Sequence, residues 1–308
     1  MVDISIIILT FNEELHLLRA INSVKLFAKE IYVIDSFSTD NTLKVAAESG
    51  VKVMQHEFIN YSKQMQWAIE NLPLNTAWVM RLDADEIVDD ILCREIQNKL
   101  PLLDVGVTGV ILKCKQIFMN RWIKYGGVYP LWLLRIWRNG CAQIEDRWMD
   151  EHMLLKKGRA IKFKGCFSNH DLHDITYFIN KHNYYATREA VEIICQRLGL
   201  GISDGKSSFN IANSSIQAYI KRLIKIHIYN KLPYWFGPLI YFYYRLFFRG
   251  GIFDGREGLI YHTLQGFWFR FLINVKVLEL EAAIRGVTGD DAIFRILENK
   301  TKLILRRP

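Results

Sequence analysis

The sequence predicts an α/β fold built on a mostly parallel sheet. Four short apolar runs are typical of buried strands, at residues 4–9, 31–34, 51–54 and 78–82. Segments with the apolar spacing of helices follow the first three of these runs, at residues 13–28, 39–49 and 61–72. Strands that alternate with helices of this length form parallel βαβ units, which bind ligands at the carboxyl ends of the strands.

Charge and aromatic content divide the chain into two predicted regions. Residues 1–206 carry 25 Lys and Arg against 25 Asp and Glu, whereas residues 207–308 carry 15 against 7. Residues 216–271 hold 17 of the 40 aromatic residues, and the longest uncharged run there has 13 residues, too few to span a membrane. We therefore expect a ligand-binding domain over 1–206. Over 207–308 we expect amphipathic helices that lie on a membrane surface or form a homo-oligomer.

Polar residues follow directly after the first two predicted strands. Thr10, Asn12 and Glu13 close the first strand, and Asp35 closes the second. Capping of the next helix is a sufficient explanation for Asn12 and Glu13, and it stays open as an alternative to ligand binding. Capping does not explain Asp35, because a buried carboxylate at a strand end is more often a ligand-binding group.

The fourth strand ends in two carboxylates, Asp83 and Asp85, separated by one residue. A pair of this kind at the edge of a sheet holds a hard divalent cation, Mg²⁺ or Mn²⁺, which usually carries a phosphorylated ligand. The polar ends of the first, second and fourth strands are expected to meet in one crevice. Because helix capping does not account for three such strand ends together, we expect a ligand site with a metal there.

These segments resemble the family 2 glycosyltransferases, which have the GT-A fold, a Rossmann-like nucleotide-sugar domain. The resemblance rests on residues 10–14, 35–42 and 83–86, and it continues through 148–152, His170 and 181–186. The later segments are most similar to the bacterial subgroup that builds lipopolysaccharide cores and other surface glycans. One departure is Ser36, since many members carry a second acid there.

The resemblance implies roles for residues of the donor site. Thr10 and Asp35 are candidate nucleoside contacts, and Asn12 and Glu13 lie in the same crevice. Asp83 would reach the ribose or the metal, while Asp85 is the firmer metal ligand. Two more residues of the pattern lie later in the chain. His170 would complete the metal shell, with His173 as the alternative. Lys181 would meet the diphosphate, with a solvated surface charge as the open alternative.

The resemblance also implies the catalytic base. An inverting transfer needs a carboxylate that takes the proton from the acceptor hydroxyl. The family places this base in an acidic pair that matches Asp150 and Glu151, of which Asp150 is preferred. The alternative is that both acids only pair with the cations near them in the sequence, Arg147, Lys156 and Lys157.

The expected function is an inverting, metal-dependent transfer of a sugar, a hexosyl transfer, from a nucleotide-sugar donor. A UDP-sugar is the expected donor, and the acceptor is a lipid-linked oligosaccharide or a lipopolysaccharide-type glycan. The enzyme would act as a peripheral protein at the cytoplasmic face of the inner membrane. The alternative is a nucleic-acid-binding protein that uses the basic, aromatic C-terminal region. The converging acids argue against this alternative, because they repel phosphates when no metal is bound.

Overall fold

The computed structural model describes residues 1–145, 151–200, 234–303 and 305. Two compact units follow each other along the chain, the first ending at His173 and the second beginning at Asp174. The predicted domain boundary after residue 206 lies outside the described residues. Each unit is built from a different kind of secondary structure.

The first unit contains strands and short helices. Its described strands are β1 (Ile4–Thr10), β2 (Glu30–Asp35), β3 (Lys52–Gln55), β4 (Trp78–Asp83), β5 (Glu86–Val88), β6 (Val107–Phe118), β7 (Arg121–Ile123), β8 (Leu131–Arg138), β9 (Ala142–Ile144), β10 (Met153–Leu155) and β11 (Arg159–His170). Its described helices are α1 (Leu17–Val24), α2 (Thr42–Glu48), α3 (Tyr61–Asn71), α4 (Asp90–Lys99) and the 3₁₀ turn Leu100–Leu102. The four strands and three helices that the sequence predicts in the first 83 residues are all present.

Nine of these strands form one sheet, in the order β3-β2-β1-β4-β8-β6-β11-β5, with β7 paired to β6. The first four strands are parallel, as are β6 and β11. Strand β8 lies antiparallel between β4 and β6, and β5 pairs antiparallel with β11. The prediction of an α/β fold with a mostly parallel sheet, followed by helices, is confirmed. Since β1 is central to the parallel part, the ends of β2 and β4 flank the end of β1.

Apolar side chains cover both faces of the sheet. One cluster joins one face to α1, α2 and α4, and includes Ile8, Ile21, Met80 and Phe167. A second cluster joins the other face to α3 and to the ribbon of β9 and β10. Burial on both faces explains why the first strands have continuous apolar runs rather than alternating ones.

Helix α1 is shorter than the predicted helix over 13–28. Asn12 has a left-handed backbone with φ of 56°, and residues 14–16 form turns before the helix begins at Leu17. A left-handed residue does not belong to a right-handed helix, so the helix starts one turn later. The chain gains a loop at the end of β1 in place of that turn.

The second unit is helical in its described part. The elements are α5 (Ile175–Leu198), α6 (Phe236–Tyr243), α7 (Gly255–Tyr261), α8 (Phe269–Ile284) and α9 (Asp290–Thr301), with π-helical turns Tyr244–Phe248 and His262–Trp268 and the 3₁₀ turn Gly251–Asp254. Helix α5 starts at an Asp174 cap and ends at the left-handed Gly199. Among the residues described, no helix is both long and apolar enough to cross a membrane.

A buried polar cluster lies in the second unit beside close backbone contacts. His262 is fully buried, and its Nε2 donates to Asp254 Oδ2 at 3.2 Å. A Cβ on Gly251 would lie 2.8 Å from the His262 ring, and one on Gly258 would lie 2.0 Å from Asp254 Cβ. These two glycines are therefore required by close packing.

Candidate active site

The ends of β1 and β2 lie side by side, with Thr10 in register with Asp35. The Asp35 carboxylate is fully buried. It accepts hydrogen bonds from Thr10 Oγ1 at 3.2 Å, from the Ser38 backbone N–H at 2.9 Å and from Gln55 Nε2 at 3.2 Å. These donors fix the turn after β2. The predicted contact of Thr10 and Asp35 with a nucleoside stays a prediction.

Asn12 and Glu13 connect the loop after β1 to the loop after β2. Asn12 Oδ1 accepts from the Thr39 N–H at 2.8 Å, and the Asn12 N–H donates to Ser38 Oγ at 2.8 Å. The Glu13 N–H donates to Thr42 Oγ1 at 2.7 Å. These contacts hold the two loops together, and a part for either residue in ligand binding stays a prediction.

Two aromatic rings that the sequence analysis did not single out lie at this edge. Phe11 is 58% exposed and Phe37 is 56% exposed. Phe37 also has a left-handed backbone, with φ of 60°, which is uncommon for a bulky residue. Strained, exposed residues often occur at ligand sites, and a flat ring at this edge suits a nucleobase.

Asp83, at the end of β4, is paired with two arginines. Arg81 Nε lies 3.3 Å from Asp83 Oδ1, and Arg135 Nη1 lies 3.6 Å from Asp83 Oδ2. The Tyr61 hydroxyl donates to the same carboxylate. Burial by itself would raise the pKa of Asp83, but Arg81 and Arg135 hold that pKa well below its usual range. Asp83 is therefore a half-buried carboxylate, with 25% of its side chain exposed, that its neighbours keep ionised.

Glu86, at the start of β5, completes this group. Arg135 Nη2 donates to Glu86 Oε1 at 2.7 Å, and Glu86 Oε2 accepts from the Asp83 backbone N–H at 2.9 Å. Burial raises the pKa of Glu86 to about 8, although Arg135 opposes the rise. We call Arg81, Asp83, Glu86 and Arg135 the strand-end network. Of these four residues, only Asp83 was predicted from the sequence. Arg81 and Arg135 could have been found as charged residues inside the apolar strands β4 and β8.

Asp85 lies in the turn between β4 and β5 and has a different environment. Its side-chain Oδ2 accepts from Asn169 Nδ2 at 3.0 Å, and its backbone carbonyl accepts from the His170 N–H at 2.9 Å. Asp85 is thus held beside the end of β11, where its negative charge interacts with Arg19. The backbone hydrogen bond places His170 beside Asp85, and a shared role in one site stays a prediction.

His170 is held between two side chains. Its Nε2 lies 3.0 Å from Asn120 Oδ1 and its Nδ1 lies 3.4 Å from Arg19 Nη1, and Arg19 Nη2 donates to its backbone carbonyl at 2.8 Å. Burial, followed by the positive charge of Arg19, lowers the pKa of His170. The ring is therefore neutral at pH 7, which is the form that binds a metal.

The predicted metal ligands are only partly brought together. In the described part of the chain, the trio with ligating atoms within 4.8 Å of one another is His16, Asp171 and His173. His16 Nδ1 lies 2.6 Å from Glu13 Oε2, and His16 Nε2 accepts from the Leu172 N–H at 2.9 Å. Since these contacts join Glu13 and His16 to Leu172, we interpret this trio as a tie between the loop after β1 and the loop after β11.

The chemistry of Asp85 and His170 fits a divalent cation, since a carboxylate ligates both Mn²⁺ and Mg²⁺, while an imidazole suits the transition metal Mn²⁺ better than the harder Mg²⁺. Asp83 fits less well as a direct ligand, because two guanidinium groups beside it repel a dication. Its geometry favours the ribose role over the metal role. Both assignments stay predictions.

The remaining predicted residues are less fully placed. Glu151 is half-buried and lies just before β10, whereas Asp150 lies outside the described residues. Lys181 is on α5, in the second unit, with its Nζ 5.5 Å from the centre of the Tyr177 ring. The roles of these three residues as base and diphosphate contact are still predictions.

Comparison with known proteins decides the family. Residues 5–157 match the model of glycosyl transferase family 2. The chain carries a family 2 glycosyltransferase domain. The prediction of a family 2 glycosyltransferase domain is thereby confirmed, whereas the lipopolysaccharide-core subgroup, hexosyl transfer, inversion and metal dependence stay predictions. The matched residues contain the ends of β1, β2 and β4, so the strand-end acids belong to the family 2 domain.

Related chains occur in Rickettsia. An uncharacterized glycosyltransferase of Rickettsia typhi is 28% identical over 306 residues, which cover 94% of this chain and 92% of the relative. One from Rickettsia felis is 41% identical over 100 residues, about a third of each chain (32% and 33%). Among solved structures, glucosyl-3-phosphoglycerate synthase from Mycobacterium tuberculosis, in complex with Mn²⁺ and UDP, is similar at 22% identity with a TM-score of 0.31. That similarity covers 37% of this chain and 43% of that one.

Proposed function

We propose that the protein is an inverting, metal-dependent glycosyltransferase that moves a hexose from a UDP-sugar to a glycolipid. The acceptor would be a lipid-linked oligosaccharide or a lipopolysaccharide-type glycan in surface glycan biosynthesis. The observation that carries the proposal is the placement of Asp35, Asp83 and Asp85 at the ends of two strands that flank β1. This is the edge of a family 2 domain at which α/β folds bind their ligands.

The donor would lie across this edge, with its nucleoside toward β2 and its diphosphate toward β4. Thr10 and Asp35 would position the nucleoside, and Asp83 would accept a hydrogen bond from the ribose. Asp85 and His170 would hold Mg²⁺ or Mn²⁺. When bound, the cation stabilises the negative charge that develops on the departing diphosphate.

Asp150, or Glu151 next to it in the sequence, would act as the base. It takes the proton from the acceptor hydroxyl, and the hydroxyl oxygen forms a bond to the anomeric carbon of the sugar. The bond from that carbon to the diphosphate oxygen breaks, and its electron pair leaves with the nucleoside diphosphate. Attack from the face opposite the leaving group inverts the anomeric configuration.

The second unit would hold the enzyme on the cytoplasmic surface of the membrane, where a glycolipid acceptor is accessible. Support comes from large exposed side chains in its described part: Phe247 is 58% exposed, Phe248 83% and Phe253 73%. Arg249 lies between them in the sequence, and aromatic rings with cations suit the headgroup region of a bilayer.

The test is a hydrolysis and transfer screen over UDP-, GDP- and dTDP-sugars with Mg²⁺ and with Mn²⁺. We expect activity with a UDP-sugar only when a divalent cation is present. Asp85→Ala should lower turnover by about 10²-fold or more with the fold retained, because it removes the stabilisation of the leaving group. The matched control is Asp90→Ala, which removes an exposed acid from the start of α4. Normal turnover by Asp85→Ala would contradict the metal assignment.

A further inference from the structure

Lysines and tryptophans come together on three neighbouring strands of the first unit. Lys113 on β6 lies opposite Trp132 on β8 in the register of the sheet. Lys162 on β11 approaches the same ring from the other side of β6. The two ammonium nitrogens lie 5.8 Å and 4.6 Å from the centre of the indole. Two cations thus share one aromatic ring.

A second tryptophan repeats the arrangement. Lys115, two residues along β6 from Lys113, has its ammonium 5.4 Å from the centre of the Trp122 ring, and Lys124 has its ammonium 5.5 Å from it. Residues two apart on a strand point to the same face and are about 7 Å apart. The two tryptophans with their lysines therefore form a row, which we call the Lys–Trp face.

The charge of this face is only partly compensated. Lys115 forms an ion pair with Asp89 at 3.2 Å. Neither Lys113 nor Lys162 lies within ion-pair distance of a carboxylate among the described residues. Attraction to an indole ring holds an ammonium group in place but leaves its charge, so two such groups at one ring repel each other. An anion bound between them would remove that repulsion.

The Lys–Trp face is on the same side of the sheet as Asp83. On β4, Val79 lies opposite Trp137 of β8, and Trp137 lies opposite Gly109 of β6. Side chains alternate along a strand, so Asp83 shares the side of Val79, and Lys113 shares the side of Gly109. A molecule that reaches the strand-end acids from this side would extend over the lysines and tryptophans.

We propose that the Lys–Trp face binds an acidic sugar of the acceptor, a glycan that carries phosphate or carboxylate groups. Trp132 is 36% exposed, so part of its indole can stack against the apolar face of a sugar ring. The ammonium groups of Lys113 and Lys162 would hold the acid group, as lysine does for phosphates. This inference rests on the proposed function, because it assigns the acceptor of the same reaction.

The experiment is calorimetric titration of the full-length protein with four probes. They are a phosphorylated mannan oligosaccharide, a hyaluronan tetrasaccharide, which carries carboxylates, maltotetraose, which is neutral, and a single-stranded dT₁₀ oligonucleotide. We expect at least one acidic saccharide to bind and maltotetraose to bind at least tenfold more weakly. The phosphorylated and carboxylated probes distinguish the two sources of the acid group.

The variant is Lys113→Gln combined with Lys162→Gln, which removes both ammonium groups from Trp132. Binding of the acidic saccharide should weaken by roughly tenfold or more, since hydrogen bonds to charged groups are stronger than neutral ones. The matched control is Lys25→Gln combined with Lys44→Gln, which changes net charge equally at two exposed positions of the same unit. The control should bind like the unchanged protein.

Equal weakening in both double variants would overturn the proposal, because charge alone would then explain binding. Binding of dT₁₀ with the same lysine dependence, and of no saccharide, would also overturn it in favour of a nucleic acid. UDP with Mn²⁺ is titrated in parallel. If neither the unchanged protein nor the two double variants bind UDP, the proposed function is contradicted. If UDP binds but no saccharide does, only the acceptor assignment is contradicted.

Discussion

The two units depart in different ways from the usual burial of apolar and exposure of charged side chains. In the first unit, the strand-end network buries both arginines and Glu86 and half-buries Asp83; its ion pairs join Arg81 to Asp83 and Arg135 to both acids. In the second unit, Phe248 and Phe253 are exposed to solvent while His262 and Asp254 are buried. Buried charge and exposed apolar surface both carry a free-energy cost in a soluble fold.

Each unit therefore contains a feature that lowers its stability, which suggests that the feature has another role. A buried ion-pair network is weak evidence for stability, but it fixes the positions of its carboxylates in one geometry. An exposed aromatic segment adds nothing to the fold and is available for contact with another surface. The first unit therefore removes acids from water and holds them in fixed positions, and the second unit leaves aromatic rings exposed.

The largest expected effect comes from breaking the strand-end network. Arg135→Met leaves the buried Glu86 without its cation and leaves Asp83 with Arg81 alone. We expect the free energy of unfolding to fall by about 3–5 kcal/mol, the usual cost of removing one partner from a buried ion pair. Chemical denaturation followed by circular dichroism measures this loss.

The control for Arg135→Met makes the same change at an exposed ion pair. Arg159 Nη2 lies 2.8 Å from Asp104 Oδ2, with both side chains more than half exposed. Arg159→Met should alter the free energy of unfolding by less than about 1 kcal/mol. A loss for Arg135→Met no larger than the control's would mean that the buried acids do not depend on Arg135.

This network also marks the limit of what the sequence can predict. Apolar periodicity indicated the strands and helices of the first 83 residues, because burial on one or both faces leaves that pattern locally. Asp83 was found because it ends a strand. Its partner Arg135 is 52 residues away along the chain. The contact exists because β8 lies antiparallel to β4, and no local pattern contains that pairing.

The backbone conformation of the loops was the other feature that apolar periodicity could not predict. Asn12 belongs to a residue type that adopts a positive φ more often than most, but its presence alone does not predict one, and the bulky Phe37 gives no signal of it. One shortens α1, and the other places an exposed ring at the edge of the sheet. The metal role of Asp83, Asp85 and His170 stays a prediction, and the arginine partners of Asp83 favour its alternative role at the ribose.

A smaller effect is expected in the second unit when the pH falls. Burial and the positive charge of Arg245 lower the pKa of His262, while Asp254 opposes the shift. The unfolded chain then binds a proton more readily than the folded one. The stability from the neutral ring is fully present above the ordinary histidine pKa of about 6.5 and is lost as the pH falls below it.

The measurement compares the unchanged protein with His262→Gln by denaturation at pH 7.5 and at pH 5.5. Both proteins contain the other histidines, so the difference between their pH dependences belongs to His262. We expect the unchanged protein to lose more stability on acidification than His262→Gln does. Equal losses would show that the buried ring titrates as it does in the unfolded chain.

The smallest effect on stability is expected where apolar surface is exposed. Phe248→Ser combined with Phe253→Ser should change the free energy of unfolding by less than about 0.5 kcal/mol, since neither ring is packed in a core. The same variant should bind anionic vesicles more weakly in a sedimentation assay, because it removes the rings proposed to enter the headgroup region.

The control is Leu26→Ser combined with Leu102→Ser, two side chains of the first unit that are 74% and 82% exposed. If the control lowers vesicle binding as much as the phenylalanine variant, exposed apolar area in general explains the association. If only the phenylalanine variant lowers vesicle binding, the exposed aromatic segment of the second unit is the contact surface. Membrane contact then explains why these rings stay exposed although their exposure costs free energy.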